Sequence, residues 1–101
     1  MSKSVSHKRA QQKAAGKDGR TEVPIKGGQK LDALSASGKK ATEVERCGNV
    51  EAAAKRLQKV SAPQKVLQVP QKDMGKAAKA MKDVGVKGTV KNLSGTKRRS
   101  V

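Results

Sequence analysis

The chain contains no Phe, Trp or Tyr, and this constrains its fold more than any other single feature. Branched packing must come from 11 Val, 5 Leu and 1 Ile in 101 residues, with 13 Ala filling between them. Those 17 side chains fall below the roughly one-fifth fraction under which a highly charged chain is expected to stay disordered. Composition alone therefore describes a disordered basic protein. The order of the residues argues otherwise, because it is periodic.

Residues 6–15, SHKRAQQKAA, predict a helix of good formers with Ser6 as its cap and Gly16 as its stop. TEVPI follows as a short β segment in which Pro24 fits an edge or a strand end. QKLDAL and KKATEVE carry period-two patterns on either side of SASG and predict a β-hairpin over 29–45. Asn49 is placed to cap a helix near 49–60, with Val50, Ala53, Ala54, Leu57 and Val60 at helical spacing. KVLQV, bounded by Pro63 and Pro70, reads as a buried strand. A second helix over 71–84 repeats the pattern with Met74, Ala77, Ala78, Met81 and Val84, and VKGTVKNL is a weaker last strand. Strands alternating with helices predict an α/β fold with a mixed sheet flanked by helices. The first five residues are expected to be disordered, and SGTKRRSV, 94–101, to be a flexible basic tail able to touch phosphate.

The 24 Lys and Arg against 8 Asp and Glu leave a net charge of +16. So much positive charge points to a polyanion, since each cation that neutralises a phosphate releases counterions. Nucleic acid is the expected partner, DNA ahead of RNA. Candidate phosphate contacts are Lys30, Lys55, Arg56, Lys59, Lys65, Lys72, Lys97, Arg98 and Arg99. No apolar run approaches the roughly 18 residues of a membrane span, so a soluble, cytoplasmic protein without a membrane partner is expected. One Cys and one His exclude an internal disulfide and a zinc quartet. Cys47 reads as a packing residue, and His7 as a solvated or phosphate-contacting side chain. The thin core suggests a homodimer that adds apolar burial.

The few acids are informative. If Ser37-Gly38 is a two-residue turn, Leu34 faces Ala41, Asp32 faces Glu43 and Lys30 faces Glu45. Two carboxylates would then sit directly opposite, a destabilising pair that calls for a compensating cation. Glu43 and Glu45 share a strand face with Asp32 and Lys30. Oxygen ligands on adjacent strands suit Mg²⁺ or Mn²⁺, and with a phosphate-gathering surface they describe a metal-dependent phosphodiesterase. The alternative is an exposed strand face in which Lys30 pairs with Glu45 and the remaining acids are solvated or answered by nearby Lys and Arg.

Asp32 after Gly27-Gly28, then Glu43-Val44-Glu45 on the next strand, within an α-β-β-β-α-β order, resembles the restriction-endonuclease-like nuclease superfamily. In size and charge the chain is most similar to its small basic archaeal Holliday junction resolvases. The resemblance covers roughly residues 6–70 and implies one nuclease-like domain over 6–93. By it Asp32 and Glu43 would be metal ligands, the Val44 carbonyl a further ligand, and Asp32, Glu43 and Glu45 the catalytic set. Glu45 stands where the family usually has Lys, and the first helix lacks the acid that many members carry, with Glu22 the one nearby substitute. Two other functions remain open on the sequence. One is a non-catalytic nucleic-acid binder of ribosome or nucleoid, the other a basic chain that folds on RNA.

Overall fold

Among the described residues, six strands of three to six residues make one sheet whose spatial order is the chain order. They are β1 (Arg20–Pro24), β2 (Lys30–Leu34), β3 (Lys40–Val44), β4 (Gln64–Val69), β5 (Thr89–Asn92) and β6 (Arg98–Ser100). The sheet is mixed: β1 to β3 and β5 to β6 pair antiparallel, while β3, β4 and β5 run parallel. The computed structural model describes residues 5–101. Helix α1 (Val5–Ala15) precedes β1, α2 (Val50–Gln58) joins β3 to β4, and α3 (Met74–Asp83), entered through a 3-10 turn at Gln71–Asp73, joins β4 to β5. The α/β class and mixed sheet expected from the sequence are present.

The two parallel connections decide the layering. Both step across the sheet in the same direction, and right-handed crossovers then put α2 and α3 on the same face. Their apolar stripes meet that face in one core of Leu31, Leu57, Leu67, Val69, Met81 and Val90 with interleaved alanines. Alanine lets the helices approach closely, which is how a chain without aromatics closes its interior. Helix α1 lies on the other face, across β1, β2 and β3. Gly88 serves the same economy of space, because a Cβ there would collide with the Lys65 carbonyl oxygen at the β4–β5 junction.

Several expectations are corrected. Ser6 lies inside α1 and is not its cap. Of the N-terminus expected to be disordered, residues 1–4 lie outside the described residues and Val5 opens α1. Asn49 occupies the α2 cap position without a side-chain cap bond. The hairpin loop is four residues, 36–39, rather than two: Gly38, at φ 74°, donates its N–H to the Ser35 carbonyl, and Ser35 N–H donates to the Lys40 carbonyl. Both loops are centred between Ser37 and Gly38, so Leu34 still faces Ala41 and Ala33 faces Thr42.

The basic end is not a flexible tail. Arg98–Ser100 is an edge strand on β5, reached by a turn that the Asn92 side chain holds by accepting from Lys97 N–H and donating to Thr96. Val101 then packs on the core and exchanges backbone hydrogen bonds with Gly88. Sequence patterning does not reveal this strand, because only three residues pair and none is a large apolar side chain. Cys47 is exposed and free rather than packed.

Candidate functional site

The β1–β2 register, with Thr21 on Ala33 and Val23 on Leu31, sets Glu22 opposite Asp32. The β2–β3 register sets Asp32 opposite Glu43. Three acids thus stand in a row on three adjacent strands of a strongly basic chain. Asp32 and Glu43 are buried and Glu22 is half-buried, so the row is not an exposed strand face.

The sheet is distorted along this row. Glu22 has φ 52°, in the left-handed region that non-glycine residues seldom enter. The β2–β3 ladder stops at Ala33–Thr42, and beyond it the carboxylates replace its carbonyls as acceptors. Asp32 N–H donates to Glu43 Oε2 at 2.7 Å, and Val44 N–H donates to Asp32 Oδ2 at 2.8 Å. Alternation fails at the same place: Leu31 and Leu34, three residues apart, both reach the α2/α3 core.

Helices close the site from both sides. On α1, His7, Gln11 and Ala15 are spaced at i, i+4 and i+8 and form one stripe toward the sheet. Gln11 Nε2 donates to Asp32 Oδ1 at 2.9 Å and to Glu22 Oε2 at 3.2 Å, while His7 Nε2 stands 3.4 Å from Asp32 Oδ1. From α2, Arg56 forms an ion pair with Glu43 Oε1. This is the compensating cation that opposed carboxylates require. Burial, and then the Asp32 charge, push the Glu43 carboxyl up to about 7; Arg56 and the Asp32 N–H pull the other way.

The remaining expected residues are dispersed. The Lys30–Glu45 pairing does not form: Lys30 is exposed opposite Pro24, and Glu45 sends its N–H to the Gln68 carbonyl. Glu45 lies past the end of β3, and its carboxylate accepts the Cys47 N–H at 2.8 Å. Val44 enters the site through its N–H. Lys55, Lys72, Lys97 and Arg99 are exposed on α2, the 3-10 turn, the β5–β6 turn and β6. Lys59 reaches Gln29. Arg56 is committed to Glu43 rather than to the surface. Lys65 and Arg98 line a basic recess together with Lys40 and Lys91. Sequence reasoning missed Gln11 and the part played by His7. The helical spacing of two polar residues in line with Ala15 was the available signal.

Magnesium or manganese would ask for one or two carboxylates, with water and substrate phosphate completing the shell. Asp32 and Glu43 supply that number of hard oxygen donors on opposed strands, so the donor chemistry fits. Among the described residues no three His, Cys, Asp or Glu side chains are arranged to hold a metal ion. Gln11, Val44 N–H, Asp32 N–H and Arg56 already engage the carboxylate oxygens. Compared with protein-family models, with curated proteins and with solved structures, the chain finds no match.

Proposed function

We propose that the chain is a nucleic-acid-binding protein, with DNA favoured over RNA, whose Asp32–Glu43 pair supports divalent-metal-dependent phosphodiester cleavage. The observation that carries this is the opened β2–β3 pair: two buried carboxylates interrupt the ladder of a chain with net charge +16. Buried acids and strained backbone cost stability and cluster at working sites. The order α-β-β-β-α-β, with Asp32 on the second strand and Glu43 on the third, supports kinship with the restriction-endonuclease-like nucleases as part of the same proposal.

Bound Mg²⁺ or Mn²⁺ would supply Lewis-acid polarisation of the phosphodiester and a more acidic water. Asp32 and Glu43 would hold the ion. Gln11 and His7 orient Asp32, and the backbone N–H of Asp32 orients Glu43. Arg56, by exchanging Glu43 for a phosphate oxygen, would place a guanidinium on the substrate. Glu45, engaged with Cys47, has no part in this step.

A second reading has its own observation. The Arg56–Glu43 pair and the filled carboxylate acceptors suit a non-catalytic binder of ribosome or nucleoid in which the acids are structural. Labelled duplex, single-stranded and four-way-junction DNA, incubated with Mg²⁺, Mn²⁺ or EDTA, separates the two. The enzyme cuts with metal and not with EDTA, and Asp32→Asn and Glu43→Gln abolish cutting while DNA binding persists. No cleavage of any DNA or RNA, with no rise in melting temperature on adding metal, leaves the binder as the account. No described helix is long and apolar enough to cross a membrane. A cytoplasmic location stays part of the proposal. A homodimer draws no support from the surface, since among the described residues Val5 is the one large hydrophobic side chain left exposed.

A further inference from the structure

On the α1 side of the sheet, the half formed by β4, β5 and β6 is built mostly from polar side chains, with Val66 the apolar exception in the rows named next. Register places Thr42, Val66, Thr89 and Ser100 in one row, and Gln68, Lys91 and Arg98 in the next. Between this half and α1 runs a cleft of about 160 Å³ lined by Lys13, Lys40, Thr42 and Lys91. Through Lys40, Val66 and Lys91 it continues into a second recess of about 350 Å³ that reaches Lys65 and Arg98. Among the described residues lining either recess there are five cations and no acid.

Two features of this cleft lack an internal explanation. Thr42 is 1% exposed, lines the cleft, and its Oγ1 has no hydrogen-bond partner among the described residues. A buried hydroxyl left unpaired is costly, and such groups in native folds call for an explanation, whether a bound water, an ion or a functional contact. The cations are also crowded: burial, and then Lys40, Arg98 and Lys13, hold the Lys91 ammonium below the usual lysine range. No described acid lines the cleft to relieve that repulsion. An oxyanion would answer both, accepting from the hydroxyl and neutralising the ammonium groups.

We propose that this cleft seats the phosphodiester backbone of the bound nucleic acid, with the Lys40 and Lys91 ammonium groups on phosphate oxygens, Lys13 and Arg98 at the two ends of the track, and the buried Thr42 hydroxyl reached by a phosphate oxygen once the side chains over it part. The proposal rests on the nucleic-acid-binding half of the function above. It is independent of cleavage. Thr42 is the residue before Glu43 on β3, so a backbone held here passes beside the acidic row. With no aromatic residue in the chain, the contact is to phosphate and sugar rather than to stacked bases.

The test is a fluorescence-anisotropy titration of the full chain with short labelled duplex DNA in EDTA over a salt series. Lys40→Gln/Lys91→Gln should weaken binding about tenfold or more and lower the salt slope by about 0.9 for each phosphate that is no longer neutralised. Lys76→Gln/Lys82→Gln removes equal charge from exposed sites on α3, across the sheet, and should change affinity by less than about threefold. Thr42→Val should weaken binding with the salt slope unchanged, since no charge is removed, and should melt no lower than wild type. Equal losses of affinity in both lysine pairs would overturn the cleft while leaving nucleic-acid binding intact. Wild-type affinity in Thr42→Val would overturn it as well, by removing the hydroxyl from the seat. Absence of binding in the wild type would instead sink the function proposed above. Inorganic phosphate should compete poorly; competition at the same phosphate concentration as DNA would assign the seat to a free oxyanion and defeat the proposal.

Discussion

The two faces of the sheet are held by different forces. Under α2 and α3 the contacts are apolar apart from the Arg56–Glu43 ion pair, with Leu57, Leu67, Met81 and Val90 fully buried. Under α1 the buried apolar residues are Ala15, Ala33, Val44 and Val66, none of which belongs to the main core. There the helix is anchored by His7 and Gln11 on the carboxylates of Glu22 and Asp32. A small chain with limited apolar volume has concentrated it on one face, which frees the other for charge. Apolar packing and buried charge are thereby concentrated on different sides of one sheet whose strands are only three to six residues long.

That division can be broken from the apolar side first. Leu57→Ala should cost about 2–5 kcal/mol, read by urea or thermal unfolding, because the deleted side chain is fully buried and its neighbours relax only in part. At the acidic row the largest effect should be a dependence on pH. Glu43 titrates near 7 when folded and near 4.5 when unfolded, so between those values the folded state holds a proton that the unfolded state has released. Its contribution is therefore full below pH 4.5 and is lost as pH rises through 7, amounting to up to about 3 kcal/mol. Melting curves from pH 4.5 to 8 should show this decline in the wild type and not in Glu43→Gln; parallel curves would mean that Arg56 keeps Glu43 ionised throughout.

A smaller effect sharpens the comparison. Gln11→Ala removes the donor shared by Glu22 and Asp32 and should cost about 1–3 kcal/mol. The destabilisation should fall on α1 more than on α2, so amide exchange should accelerate in residues 5–15 and stay nearly unchanged in 50–58. Uniform acceleration would show that the two faces unfold as one unit and that the division is only of chemistry.

Much of this was legible from residues close together in sequence. Period-two runs on either side of SASG placed β2 and β3, and the centre of that loop placed Asp32 opposite Glu43 even though the turn type differed. Helical spacing from Val50 to Leu57 and from Met74 to Met81 placed both core helices. These signals are local, because a neighbour a few residues away sets each torsion and each face.

The tertiary structure decided which distant residues share a place. Nothing near Arg56 in the sequence sends it to Glu43, because that contact depends on α2 crossing back over β3. Gln11 meets Asp32 only because α1 takes the face that two same-handed crossovers leave open. Lys13, Lys40, Lys91 and Arg98 look like unrelated surface charges until the pairing of β3 to β6 and the docking of α1 line them along two adjoining recesses, the first of which holds Thr42. Patterns along the chain determined the elements and one strand register, since these follow from torsional and hydrophobic preferences of neighbouring residues. The acidic row with its partners and the basic cleft arose from long-range packing, where the energy lies between residues that the sequence keeps apart.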